Sequence, residues 1–89
     1  MDKQDLIGRV VISKAGRDAE RKFIIIGVLD DLYVQISDGS LRKLENPKKK
    51  KIKHLIFTNV IAEDIKEKLL AKEQITNSKI KKFLQSVDV

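Results

Sequence analysis

The hydrophobic pattern of this 89-residue chain changes its period once, near residue 60. Before that point, apolar residues form short runs or alternate with polar residues, which is typical of strands. After it, apolar residues return every three or four positions, which indicates helices. We therefore expect a mainly β segment over residues 1–58 and a helical appendage over residues 59–89.

The β segment contains strong turn signals between its apolar stretches. The continuous run Phe23–Leu29 is typical of a strand covered on both faces. Asp38-Gly39 predicts a type I′ hairpin, and Asn46-Pro47 should end the returning strand because proline cannot donate to a ladder. Short strands joined by tight turns favour a small antiparallel barrel over a sandwich. The five predicted strands cover residues 8–13, 23–29, 32–37, 40–44 and 54–58.

Two short helices are predicted after the strands. The first should carry the stripe Val60, Ile61, Ile65, Leu69 and Leu70, with Thr58 or Asn59 as its N-cap. The second should carry the stripe Ile80, Phe83, Leu84 and Val87, with capping oxygens available from Thr76, Asn77 and Ser78. Helices of this length are not stable alone, so their stripes must pack on each other or on the β segment.

The positive charge is concentrated in one segment. The chain has a net charge of +6, and residues 42–53 alone supply seven basic residues and one acidic residue, while the remainder is neutral. Such a segment indicates an acidic partner, of which nucleic acid is the commonest, although a solvated charge run that keeps a small protein soluble is the alternative. The basic residues are Arg42, Lys43, Lys48, Lys49, Lys50, Lys51 and Lys53.

A second basic set lies in and beside the polar segment 14–22, which we predict to be a loop because Gly16 can adopt positive φ. Asp18 and Glu20 partly offset its charge, so ordinary surface ion pairs are the alternative to anion binding. Its basic residues are Arg9, Lys14, Arg17, Arg21 and Lys22.

The aromatic side chains are few. Phe23, Phe57 and Phe83 fall on apolar stripes and are expected in the core. Tyr33 lies on the polar face of its strand, where it either stacks on a base or forms a surface cross-strand contact. Single-strand binders usually present several stacking platforms, so this scarcity favours recognition of backbone and shape, as in folded RNA.

Catalytic and membrane functions find little support in the sequence. The chain has no cysteine and one histidine, His54, and it has no phosphate-binding glycine motif or calcium-loop spacing. We therefore expect no enzyme activity, no metal or cofactor and no small-molecule substrate. The longest apolar run is too short to span a bilayer, and Met1–Asp5 lacks the order of a signal peptide. The absence of cysteine fits a reducing, cytoplasmic setting.

Several segments resemble a known family. Gly8–Asp18 followed by Phe23–Asp30 resembles the KOW motif, in which a strand, a glycine-bearing loop and a second strand form part of an SH3-like barrel. The continuation through Asp38-Gly39 to Pro47–Leu55 is similar to bacterial KOW-domain RNA-binding proteins, which in turn resemble the fourteen-e family of large-subunit ribosomal proteins. The resemblance covers residues 6–57.

This resemblance implies RNA binding, with ribosomal RNA as the expected partner and the Gly16 loop and the basic segment facing it. Residue by residue, it implies contacts from Arg9, Ser13, Lys14, Arg17, Arg42, Lys43 and Lys48–Lys51, and Lys53 belongs to the same basic segment. The sequence thus predicts a non-enzymatic RNA-binding protein associated with translation. The alternative is a protein-interaction module, in which the barrel and the helical tail bind a protein partner.

Overall fold

The computed structural model describes residues 3–14 and 16–89, so Met1 and Asp2 of the N-terminal segment and Ala15 of the first loop lie outside the described residues. Five strands are followed by two helices, which confirms a mainly β fold with a helical tail. Short 3-10 helices precede the first strand (Lys3–Asp5) and connect the last two strands (Ile52–His54). The remaining elements are β1 (Arg9–Ser13), β2 (Lys22–Val28), β3 (Tyr33–Ser37), β4 (Lys48–Lys51), β5 (Leu55–Ile61), α1 (Glu63–Leu70) and α2 (Asn77–Ser86).

The strands form one antiparallel sheet in the order β4-β3-β2-β1-β5. The prediction of five antiparallel strands is confirmed, but the sheet is not closed into a barrel, because no ladder joins β4 to β5 among the described strands. These consecutive strands are connected by the helical turn Ile52–His54 instead of a hairpin, and each pairs on one side only. Both therefore form edges of the sheet.

Strand β2 is covered on both faces, as its continuous apolar run predicted. Phe23 and Ile25 lie in one core cluster with buried residues of β1, β3 and β5. Ile24 points to the opposite face and lies in a second cluster with Ile65 of α1 and Ile80 of α2. All five side chains are at most 1% exposed. The helical stripes therefore pack on the sheet, and each buried Ile or Phe stabilises the fold by about 1.5–3 kcal/mol.

The first helix begins later than its apolar pattern predicted. Val60 and Ile61 belong to β5, and the N-cap of α1 is Ala62, so the predicted caps at Thr58 and Asn59 are wrong. Thr58 instead donates its hydroxyl to the carbonyl oxygen of Val10 at 2.7 Å, inside the β1–β5 pair. The predicted boundary between residues 58 and 59 falls within β5.

The second helix is capped as predicted. The hydroxyl of Thr76 accepts a hydrogen bond from the backbone N–H of Lys79 at 3.2 Å. Lys79 also forms an ion pair with Asp64 of α1. The second helix is therefore capped at its N-terminus by Thr76 and linked to the first helix by the ion pair of Lys79.

The predicted hairpin at Asp38-Gly39 is wrong. Gly39 has φ +73°, but Asp38 does not have the positive φ that a type I′ turn needs. The Asp38 carboxylate instead accepts the backbone N–H groups of Ser40 and Arg42 at 2.9 and 2.8 Å, which closes a wider turn. Residues 38–47 therefore form a loop, so the predicted strand over residues 40–44 is wrong, and the strand that returns to β3 begins directly after Pro47 instead of ending there.

Candidate nucleic-acid interface

The lysine run Lys48–Lys51 is itself the edge strand β4, which we call the lysine strand, and not a loop. Its antiparallel register places Lys51 opposite Tyr33 and Lys49 opposite Gln35. Paired residues point to the same side of a sheet, so Lys49 and Lys51 share a face with the tyrosine. The ammonium groups lie 4.4 Å (Lys49) and 5.9 Å (Lys51) from the centroid of the Tyr33 ring. The tyrosine thereby holds two cations near its ring face.

The other two lysines of this strand point to the opposite face. Lys48 and Lys50 lie opposite Ile36 and Val34, which are buried in the first core cluster. Both lysines are half-buried, because their long stems cover this margin of the core. A β-carbon placed on Gly16 would lie 3.5 Å from the Lys50 ammonium nitrogen. The lysine strand and the Gly16 loop, which are more than 30 positions apart in the sequence, therefore meet in the fold.

His54 lies where these two segments converge. Its carbonyl oxygen accepts the backbone N–H of Lys14 at 2.9 Å. Partial burial lowers the pKa of His54, and the positive charges of Lys53, Lys50, Lys51 and Lys14 lower it further. The charged groups that act on this imidazole are thus all lysines. We call Lys14, Lys50, Lys51 and Lys53 the lysine cluster.

Arg42 of the predicted site and Arg21 of the second basic set both pair with carboxylates. Arg42 donates to the buried Asp18 carboxylate at 3.1 Å, and Arg21 lies 3.5 Å from the buried Asp38 carboxylate. Both pairs join the loop 14–21 to the loop 38–47. The first loop supplies the acid of one pair and the base of the other, and the second loop supplies their partners. These ion pairs fix the two loops against each other. The guanidinium of Arg42 therefore has a structural partner and is less available to a phosphate.

The remaining predicted residues are dispersed. Arg9 lies at the opposite end of β1 from Lys14, where its guanidinium donates to the carbonyl oxygen of Thr58 at 3.2 Å. Ser13 is 1% exposed and lies beneath the surface. Arg17 and Lys43 are exposed on the two loops. The structure thus brings together the lysine cluster and Gly16, with Lys49 and Tyr33 on the adjoining face.

Two further features of this region were missed by sequence reasoning. The stacking of Lys49 on Tyr33 depends on the pairing of β3 with β4. The predicted hairpin paired β3 with residues 40–44 instead and therefore excluded this contact. A cleft also forms beside the lysine strand, between Leu32 and Ile52. The position of Leu32 directly after the turn residues Asp30-Asp31 was the available signal in the sequence, but the alternation of β3 assigned this leucine, which is exposed, to the apolar face.

Comparison with known proteins adds no family assignment. No model of a known protein family matches the chain, and no curated protein gives a significant match. Within residues 3–14 and 16–89, no helix is long and apolar enough to cross a membrane. The same residues contain no cluster of three or more metal-ligating His, Asp or Glu side chains.

Proposed function

We propose that this protein is a non-enzymatic RNA-binding protein that contacts the backbone of structured RNA through the lysine cluster and the Gly16 loop. The observation that carries this proposal is the contact between the Gly16 loop and the lysine strand, where Lys50 lies beside Gly16 and the backbone of Lys14 is hydrogen-bonded to that of His54. Four ammonium groups from two distant segments form a concentrated positive field, which attracts a polyanion. The resemblance to KOW-domain proteins supports ribosomal RNA as the partner and cytoplasmic translation as the setting.

Lysine ammonium groups at these positions suit phosphate contacts. They are compact charges on flexible stems, so they follow a backbone without reading base edges. Same-face lysines along a strand lie about 7 Å apart and repel each other by roughly 0.6 kcal/mol per pair in water. Bound phosphates remove that repulsion and release their own counterions, which makes binding favourable and dependent on salt.

The edge position of the lysine strand offers a different explanation of its charge. Lysines on a terminal strand prevent sheets of neighbouring molecules from pairing edge to edge. Glutamates at positions 48 and 50 would keep this edge charged and preserve such protection, but they would repel RNA. The double variant Lys48→Glu/Lys50→Glu therefore separates the two explanations. We expect it to remain monomeric in light scattering and to lose RNA affinity.

The protein-interaction alternative gains little from the helical tail. Ile65, Ile80 and Leu84 are already buried against the sheet, so these residues of the apolar stripes are not available to a partner, while Leu70 of the first stripe is 44% exposed. Recognition of a proline-rich peptide needs a groove lined by several aromatic side chains, and Tyr33 is the single tyrosine of a chain without tryptophan.

The proposal is tested by the salt dependence of RNA binding, measured by fluorescence anisotropy. The labelled RNA is a hairpin with a fully paired stem, which we call the fully paired hairpin. If four phosphates are engaged, the logarithm of the affinity should fall with the logarithm of salt at a slope of about −3 to −4. The variant Lys14→Gln/Lys50→Gln should bind more weakly at every sequence tested, with a slope about two units shallower.

The matched control is Lys72→Gln/Lys82→Gln, which removes the same charge from exposed positions of the helical tail. It should leave the slope within about half a unit of the wild-type value, because general electrostatic attraction contributes less than direct phosphate contact. Equal losses in the two double variants would show that net charge, and not this cluster, binds the RNA. Absence of binding by the wild-type protein would refute the proposed function.

A further inference from the structure

An apolar cleft with a charged rim opens beside the lysine strand. Leu32 and Ile52 line it together with Asp31, Lys51 and Lys53, and it holds about 340 Å³. This volume lies at the small end of the roughly 300–1,000 Å³ typical of small-molecule sites. Leu32 is 66% exposed, the most exposed large apolar side chain of the described residues. A solvent-facing leucine in a cationic rim is a feature that the fold itself does not need.

The cleft is held in shape by backbone hydrogen bonds. The N–H of Ile52 donates to the carbonyl oxygen of Leu32 at 2.8 Å, which joins the two apolar walls. The Asp30 carboxylate accepts the N–H groups of Leu32 and Tyr33, both at 2.8 Å, and thereby fixes the turn. A ligand would therefore find the walls already positioned, which reduces the entropic cost of binding.

Asp31 contributes the one acidic group of the lining. Its carboxylate makes no hydrogen bond or ion pair with another of the described side chains, so both oxygens are available as acceptors. The cleft thus combines apolar walls for a flat ring, two ammonium groups for neighbouring phosphates and one carboxylate for N–H donors. A nucleotide presents all three matching features, whereas an apolar peptide matches the walls alone.

We propose that this cleft binds one unpaired nucleobase of the RNA, with guanine preferred; the inference rests on the proposed function and specifies where the RNA is read. The ring packs on the side chains of Leu32 and Ile52, while Lys51 and Lys53 contact the flanking phosphates. Guanine presents two adjacent N–H donors, N1 and N2, on its Watson–Crick edge, and the two Asp31 oxygens accept them together. Uracil offers only one N–H on this edge, and the two carbonyl oxygens beside that N–H repel a carboxylate.

The cleft is tested directly with mononucleotides on the full-length protein. Methyl-labelled protein is titrated with GMP, UMP and inorganic phosphate, and the Leu32 and Ile52 methyl resonances are followed by NMR. We expect saturable shifts that need about tenfold less GMP than UMP, since hydrogen bonds to a charged group favour guanine by that order. Shifts that are equal for GMP and UMP, reproduced by phosphate, or absent would overturn the proposal.

Two exposed leucines supply a matched pair of variants. Leu32 and Leu41 are 66% and 64% exposed, and only the first lines the cleft. Leu32→Ala should weaken GMP binding several-fold, and Leu41→Ala should leave it unchanged. Asp31→Asn should bring GMP and UMP affinities together, because the amide keeps one acceptor and loses the charge. Equal effects of the two alanine variants would refute a site at the cleft.

RNA hairpins with and without one bulged guanine separate this inference from the proposed function. Wild-type protein should prefer the bulged hairpin, and Leu32→Ala should lose that preference while still binding the fully paired hairpin. Equal affinity for the two hairpins refutes the base site and leaves backbone binding intact. If neither hairpin binds, RNA binding is refuted, and the mononucleotide shifts still decide whether the cleft takes a base.

Discussion

Replacing Gly39 with alanine tests how closely the helical tail packs on the sheet. Gly39 is buried and has φ +73°. A β-carbon at this position would overlap the backbone oxygen of Asn77 and lie 3.1 Å from the backbone nitrogen of Lys81. Both atoms belong to the main chain of α2, so a side-chain rotation cannot relieve the overlap. Alanine therefore either strains the loop or displaces the helix.

The expected cost has two parts. An L-residue in the left-handed region costs about 1–2 kcal/mol, of which roughly 0.4–1 kcal/mol is returned because alanine restricts the unfolded chain. Overpacking against an element that must shift adds about 1–3 kcal/mol. Gly16 provides a matched control, since it has φ +80° and its nearest neighbour is the flexible end of Lys50. Gly16→Ala should cost only the conformational part.

Thermal and urea unfolding followed by circular dichroism measure both variants. Gly39→Ala should be about 2 kcal/mol less stable than Gly16→Ala, which corresponds to roughly 8–16 °C in Tm for a domain of this size. Equal destabilisation of the two variants would refute the close approach of α2. A larger loss for Gly16→Ala would contradict the finding that its β-carbon would meet only the flexible end of Lys50 at an ordinary contact distance.

Three further predictions concern the charged groups. Lys53→Gln should raise the pKa of His54 because it removes the positive charge that lowers this pKa most among the lysines, and NMR titration of the imidazole measures it; an unchanged pKa would contradict this influence. Since the folded-state pKa lies below 6.5, the unfolded chain binds the proton more readily, and stability should fall as pH drops through this region. Asp18→Asn should destabilise the fold by about 1–2 kcal/mol, because it weakens a charged hydrogen bond to Arg42 at a buried position. Urea unfolding measures this change. An unchanged free energy of unfolding would show that the packing of loop 14–21 against loop 38–47 does not depend on this pair.

The sequence predicted the order of strands and helices where hydrophobic patterning decides the structure. The run Phe23–Leu29 predicted a strand covered on both faces, and Ile80 and Leu84 predicted the buried stripe of α2. These predictions are confirmed because burial of large apolar side chains drives folding more strongly than any other interaction, and it acts independently of the detailed topology.

Errors arose where tertiary contacts outweighed a local signal. Asp38-Gly39 forms a wider turn because the Asp38 carboxylate binds two backbone N–H groups and α2 packs on Gly39. Val60 and Ile61 fit a helical period, yet both belong to β5, in which Ile61 pairs with Arg9 of β1. A short apolar run fits either period, so the neighbouring strand decides.

The sequence predicted which residues belong to the candidate site but not how they are arranged in space. The basic segment and the Gly16 loop were both singled out, yet their contact through Lys50 follows from the sheet order and not from spacing along the chain. Lysine has little strand preference, so no pattern in Lys48–Lys51 predicts the edge strand. The pairing is imposed by the free backbone groups of β3.

The composition of the lysine strand has a consequence for its alignment. A slip of one residue exchanges the faces of a strand, and in most strands this brings polar side chains into the core. Four consecutive lysines look the same after such a slip, so this strand carries no alignment information in its own side chains. Alignment must come from its ends, where Pro47 precedes the strand and the N–H of Ile52 donates to Leu32. A one-residue change of register would therefore leave the pattern of positive charge on this strand unchanged. The hydrogen bond between Ile52 and Leu32 prevents such a change.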